Sequence, residues 1–270
     1  MNVILLGIDG LGKFFNDYNA PNLSKFINNG SSIDVKAMHP TDSAENWGSI
    51  LLGVSPNMHN LKLENLNKCY NNPNYPSLFK IITNHYKNSV VGAYVSWNPI
   101  LKGMIENTVK MSKYSPTINE SYLSRLWMHI SHYYLNNPIY DSFTSSNVIK
   151  FINENKNLNF LFIHLVDLDE VGHIFGFGSY NYDLKLIETD RLVEEIIESV
   201  NNSVHNPLIL ITTDHGGIGY RHGGSSIQES EVFIASNNKN LNNNSYINNK
   251  CCAKIILDSL GIKIPENYYH

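Results

Sequence analysis

A chain of 270 residues with 42% hydrophobic residues holds enough apolar mass for a sizeable core, as one large domain or two small ones. Charged residues make up 16%, below the usual ~25%, and the net charge is -4, which excludes a basic nucleic-acid groove. No apolar run approaches the ~18 residues of a membrane span, and Cys69, Cys251 and Cys252 make no disulfide framework, so a cytosolic setting is the default expectation.

The first apolar run, Val3–Ile8, is short, lacks a basic leader and ends at Asp9, and so reads as a strand rather than a signal peptide. Asn19-Ala20-Pro21-Asn22-Leu23 opens a helix that runs to Asn28 and stops at Gly30. A second helix begins at Asp42 or Ser43 and ends near Gly53. Ser89–Val95 is a strand, Glu120–Leu135 and Ser142–Asn155 read as helices, and Phe160–Val166 is a strand. Tyr180–Val200 is an amphipathic helix with Leu184, Ile187, Leu192, Val193, Ile196 and Ile197 on a broad face. Leu208–Thr213 and Val232–Ala235 are strands, Asn237–Asn249 is a polar loop, and Cys251–Leu260 closes as a helix before Gly261. Alternating strands and helices predict an α/β fold, a doubly wound and mostly parallel central sheet with helices on both faces.

Three of these strands end in carboxylates. Asp9 follows the first, Asp167 and Asp169 follow Phe160–Val166, and Asp214 follows Leu208–Thr213. Histidines come close behind, as Asp169-Glu170-Val171-Gly172-His173, as Asp214-His215-Gly216-Gly217, and as Arg221-His222-Gly223-Gly224. Ligand groups in open α/β sheets collect at the carboxyl ends of strands. Asp9, Asp169, Asp214, His173, His215 and His222 therefore form a ligand set for two divalent ions, with zinc favoured and manganese or magnesium as alternatives. Motif residues spread from 9 to 222 favour one domain over 1–270, with an inserted helical segment at about 100–155. The pair His129 and His132 has no carboxylate beside it and reads as surface or core.

Ser43 supplies a nucleophile. A serine hydroxyl is weak at neutral pH and needs a metal or a base, and a helix N-terminus offers free N–H groups to a phosphoryl group. Thr41 is the competing hydroxyl.

These motifs resemble the alkaline phosphatase superfamily, and within it the type I phosphodiesterase/nucleotide pyrophosphatase branch. The resemblance rests on Asp9-Gly10, Pro21-Asn22-Leu23, Pro40-Thr41-Asp42-Ser43-Ala44-Glu45-Asn46 and Gly53-Val54-Ser55-Pro56-Asn57-Met58-His59, then on Asp169–His173, Asp214–Gly216 and His222-Gly223. It covers roughly residues 3–65 and 159–236. It implies that Asp169, His173 and His222 hold one metal, and that Asp9, Asp214 and His215 hold the other with Ser43 bridging towards the phosphoryl group. It further implies that Ser43 attacks in line, forms a phosphoseryl intermediate and is released by water.

The chain departs from that pattern in having Ser where nucleotide pyrophosphatases carry Thr, and Asn60 where they carry Gly. The phosphoryl-oxygen contact then falls to Asn65 or Asn46, and Trp47 or Trp97 is a candidate to stack on a base or leaving group, with packing as the alternative for each. The expected partner is a small phosphate ester, a nucleotide among the options. Phosphodiester hydrolysis leads. Thr41-Asp42-Ser43-Ala44 keeps a phosphomonoesterase in view, although only Arg221 could serve as a phosphate clamp. A sulfatase lacks its Cys/Ser-x-Pro-x-Arg motif here, and an inactive metal-binding protein is the reading from another class.

Overall fold

The computed structural model describes residues 2–241, 247–265 and 268. Seven strands form one sheet: β1 (Asn2–Ile8), β2 (Ser31–Lys36), β3 (Val91–Val95), β4 (Ser112–Tyr114), β5 (Phe160–Leu165), β6 (Pro207–Thr212) and β7 (Glu231–Ser236). Their order is β2-β7-β6-β1-β5-β3-β4, and every pairing is parallel except those of β7 with β2 and β6.

The central strands are apolar on both faces because both faces are covered. Val3 and Leu5 of β1 join one core with the helices Ser43–Leu52, Leu78–His85 and Cys251–Ser259. Ile4, Leu6 and Ile8 join the other, with Pro21–Asn29, Tyr140–Glu154, Asp167–Phe175 and Tyr180–Ser203. The doubly wound sheet expected from the alternation is the one observed.

Two strands escaped the apolar pattern. β2 is an edge strand whose exposed positions are polar, and β4 is three residues long. The stretch at 100–155 carries β4 and the helices Tyr122–Leu135 and Tyr140–Glu154. Of the polar loop Asn237–Asn249, residues 242–246 lie outside the described residues. Among the described residues no helix is long and apolar enough to cross a membrane.

The three adjacent strands β6, β1 and β5 run parallel, so their carboxyl ends lie side by side at ~4.8 Å spacing. Asp214, Asp9 and Asp169 follow those three ends. The sheet order thus gathers acids that are far apart in sequence.

Candidate active site

Asp9 and Asp214 stand at the ends of β1 and β6, and Asp169 and His173 share a face of the helix Asp167–Phe175. Gly10 takes φ +69, and a Cβ there would meet Asp169 Oδ1 at 2.6 Å. Its N–H donates to Asp214 Oδ1 at 3.1 Å.

Two triads result. His215 Nε2 lies 3.6 Å from Asp9 Oδ1 and 3.1 Å from Asp214 Oδ2. His173 Nε2 lies 3.3 Å from Asp169 Oδ2 and 3.2 Å from His222 Nε2, which is 3.8 Å from Asp169 Oδ1. The imidazoles of His215 and His222 stack with centroids 3.7 Å apart and join the triads. Ligand atoms of Asp9, Asp214 and His215 fall within 4.8 Å of one another, as do those of Asp169, His215 and His222.

The donor set fits divalent cations on two observations. First, each histidine commits Nδ1 to a backbone carbonyl: His173 to Tyr220 O, His215 to Gly216 O and His222 to Thr41 O, each at 2.9 Å. A carbonyl only accepts, so Nδ1 carries the proton and Nε2 presents its lone pair to the site. Lone pairs of His173 and His222 facing each other at 3.2 Å repel unless a cation or proton lies between. Second, Asp169 Oδ1 and Asp214 Oδ2 are buried without a hydrogen-bond partner, a costly arrangement that a metal ion relieves.

Without a metal, protons take that role. Burial, then the Asp9 and Asp169 carboxylates, push Asp214 well above the usual carboxylate range. The hydrogen bond with Asp169 raises His173 to about 9. Burial pushes Asp9 up, but the hydrogen bond and charge of His164, with His215 and Trp47, outweigh it and hold Asp9 well below the usual range.

Ser43 opens the helix Ser43–Leu52, with its Oγ 3.0 Å from His215 Nε2 and 3.4 Å from Asp9 Oδ1. Thr41 is differently engaged. Its buried hydroxyl donates to Gly224 O and accepts from Gly223 N–H, tying the nucleophile segment to the loop that carries His222.

Three substrate contacts expected from sequence are corrected. Asn46 is fully buried: its amide donates to the carbonyls of Met38, Pro40 and Asp42, and its oxygen accepts from Met38 N–H and Asn249 Nδ2. No polar atom is left for a phosphoryl oxygen. Asn65 spends its side chain on Lys62 N–H and Asn60 O, and Lys62, Leu63 and Glu64 line the cavity instead. Trp47 is also fully buried, one turn below Ser43, and its indole N–H donates to Asp9 Oδ2 at 2.9 Å. It orients a candidate metal ligand from beneath and presents no face for stacking. Trp97 does line the cavity, and Arg221 is exposed and outside the lining. His129 and His132 belong to neither of the metal-ligating clusters found among the described residues; His132 Nε2 lies 3.3 Å from Glu170 Oε2.

His164 was missed. It is fully buried in β5, and its Nε2 donates to Asp9 Oδ2 at 3.0 Å. The available signal was a polar residue in phase with Phe162 inside a buried strand.

A family profile described as type I phosphodiesterase / nucleotide pyrophosphatase matches residues 3–224. The chain belongs to this family. The chain is 33% identical over 88 residues to GPI ethanolamine phosphate transferase 2 of Kluyveromyces lactis, a match covering 32% of this chain and 11% of that protein. It is 27% identical over 122 residues to GPI ethanolamine phosphate transferase 3 of Saccharomyces cerevisiae, covering 40% and 12%. The matches thus span about a tenth of these curated relatives. Murine ectonucleotide pyrophosphatase/phosphodiesterase 5 shares the fold, with a TM-score of 0.69 at 13% identity over 99% of this chain and 97% of that one. A further structure of that murine protein is a complex with AMP.

Proposed function

We propose that this family member is a metal-dependent phosphodiesterase that uses Ser43 as its nucleophile. The observation that carries the reading is the position of Ser43 Oγ, at a helix N-terminus and within 3.4 Å of both Asp9 and His215. The orphaned oxygens of Asp169 and Asp214 support two divalent ions, and the mixed nitrogen and oxygen donors suit zinc. Asp9, Asp214 and His215 would hold one ion, and Asp169, His173 and His222 the other. When bound, the ions supply Lewis-acid charge that lowers the pKa of the serine hydroxyl and offsets charge on the phosphoryl oxygens.

The chain's own groups do the rest. The helix N-terminus beneath Ser43 presents backbone N–H groups to the phosphoryl oxygens. Ser43 Oγ gives up its proton to solvent and attacks phosphorus. The P–O bond to the alcohol breaks, and the alcohol leaves with the electron pair and takes a proton from water. Water then attacks the phosphoseryl group and Ser43 regains a proton. Trp47 and His164 hold Asp9 in place throughout through their N–H donors.

A cavity lining whose only Lys or Arg is Lys62 favours a singly charged diester over a monoester dianion, since a monoester gains more from a cationic clamp. The AMP complex of the murine protein supports small phosphate esters as the substrate class. The two yeast transferases favour a second reading, in which an alcohol replaces water as acceptor. The test compares kcat/KM for bis(p-nitrophenyl) phosphate and p-nitrophenyl phosphate at equal zinc and pH. We expect the diester to be preferred; a monoester advantage of ten-fold or more makes the chain a phosphomonoesterase.

A further inference from the structure

One helix of the chain turns its apolar side outward. Tyr122–Leu135 is 14 residues long, ~21 Å at ~1.5 Å per residue. Met128, Ser131 and His132 make up its buried side. On the outer side Tyr122, Leu126 and Tyr133 form one line and Leu123, Trp127 and Tyr134 the next, as helical spacing dictates. These six side chains are 41% to 75% exposed. A contiguous patch of large apolar side chains left in water marks an interaction surface.

The patch borders the mouth of the reacting centre. His132, on the inner side of the helix, lies 3.3 Å from Glu170. One turn further along, His173 Nδ1 donates to Tyr220 O at 2.9 Å. Glu170 and His173 both line the cavity of about 390 Å3 onto which Ser43 opens. The helix Tyr122–Leu135 and the exposed Ile218 and Tyr220 thus stand around one opening. The remaining exposed large apolar side chains follow the same bias. Among the described residues none falls in the turns at 85–90, 153–159 or 202–206, where β3, β5 and β6 begin. The molecule therefore has an apolar end, which holds the reacting centre, and a polar end opposite.

Charge indicates what covers the apolar end. The helix Tyr122–Leu135 contains no carboxylate. Glu120, just before it, turns its Oε1 inward to the Tyr114 hydroxyl and Asn147 Nδ2 at 2.6 and 3.3 Å. The chain has three arginines, and two of them flank the exposed clusters: Arg125 beside Leu126 and Trp127, and Arg221 beside Tyr220. Both are exposed, and among the described residues neither forms an ion pair. Tyrosine and tryptophan rings next to arginines suit a helix that lies in a lipid headgroup layer, rings among the headgroups and guanidinium groups on phosphate. A second copy docked through the same helix would bring no carboxylate to either Arg125.

We propose that this end of the molecule docks on an anionic lipid surface, with the helix Tyr122–Leu135 in the headgroup layer and Arg125 and Arg221 on lipid phosphates. Docked in this way, the mouth of the cavity faces the headgroups. The proposal goes beyond the reading of Ser43 as nucleophile and stands without it.

Trp127 is a probe of this contact, because Trp47 is fully buried and Trp97 packs partly on the core. Co-sedimentation of the full chain compares vesicles of phosphatidylcholine alone with vesicles in which about a third of the lipid is phosphatidylserine; the anionic vesicles should bind about ten-fold tighter. Tryptophan emission should move to the blue on binding, and Trp127→Phe should remove that shift. Arg125→Gln should weaken binding to the anionic vesicles about five-fold. The double variant Leu126→Ser with Trp127→Ser should weaken it about ten-fold or more, with far-ultraviolet circular dichroism unchanged because both side chains are exposed. The wild-type emission shift carries the test by itself should that variant fold poorly. No binding to either vesicle, equal binding to both, no blue shift, or an affinity unmoved in a folded double variant overturns the proposal. So does a dimer in sedimentation velocity that the double variant converts to monomer, since the face is then an interface between copies.

Discussion

Two groups of buried aspartates lie near the carboxyl ends of the central strands, and they differ in how their oxygens are satisfied. Asp141 and Asp167 are 1% and 3% exposed, at the starts of the helices Tyr140–Glu154 and Asp167–Phe175. Each caps the other's helix. Asp167 accepts from Tyr140 N–H and Asp141 N–H at 3.0 and 3.1 Å, and Asp141 accepts from Val166 N–H and Asp167 N–H at 2.8 and 3.0 Å. All four oxygens are occupied by the chain's own backbone. Asp9, Asp169 and Asp214 are equally buried, yet Asp169 Oδ1 and Asp214 Oδ2 have no hydrogen-bond donor, and histidine lone pairs face them. The first pair holds two helices together. The second group leaves two oxygens open to a cation or a proton. Burial and acidity do not separate the two; the hydrogen-bond inventory does.

The largest expected effect falls at Ser43, beside the second group. Ser43→Ala should lower kcat by about a thousand-fold or more, roughly 4 kcal/mol of transition-state stabilisation, while bound metal stays near wild type. Thr41→Ala should hurt less, because the Thr41 hydroxyl serves the chain. Steady-state kinetics with parallel metal analysis checks both, and the reverse ranking would reassign the nucleophile.

Asp141→Asn tests the first pair. The amide presents N–H where a backbone N–H already points, which should destabilise the fold by ~3 kcal/mol. Denaturant titration reads this, with kcat of the folded variant near wild type. A large kcat loss at unchanged stability would erase the division between the two groups.

Histidines divide in the same way. His59, in the Pro56–His59 turn, is buried outside the site, its Nε2 near Glu45 O and Ser49 Oγ and its Nδ1 accepting from Leu61 N–H. Burial lowers its pKa from 6.5 to about 4, only partly offset by the hydrogen bond to Glu45 O. The unfolded chain therefore binds this proton more readily. The associated stability is present above about pH 6.5 and is lost as pH falls towards 4, with about 2 kcal/mol gone by about pH 5. Chemical denaturation across that range should show the loss, and His59→Gln should flatten it.

The smallest effect concerns support of the site from below. Trp47→Phe removes an N–H donor from Asp9 and should weaken metal affinity by about ten-fold, read by competition with a chelating dye. An unchanged affinity would make Trp47 packing alone.

The acids and histidines of the site were legible in the sequence because each follows a short apolar run, and parallel strands bring such ends together. Two of the three corrected contacts, Trp47 and Asn46, share one cause. Nearness to Ser43 in sequence says nothing about direction: Trp47 lies a turn deeper on the same helix, and Asn46 turns back to the loop before it. His164 was illegible because a histidine in an apolar run reads as core until its partner Asp9, 155 residues away in sequence, is placed at the end of the neighbouring strand. β2 was illegible because an edge strand with polar Ser31, Asp34 and Lys36 carries little apolar signal.

The central claim is that the unsatisfied aspartates, and not the satisfied ones, mark a two-metal site. Metal content per chain, measured after chelator-free purification of wild type, Asp214→Asn and Asp141→Asn, tests it most directly. The account predicts about two divalent ions in wild type and in Asp141→Asn, and fewer in Asp214→Asn. No more than trace metal in an active wild type, or equal loss from both variants, would contradict it.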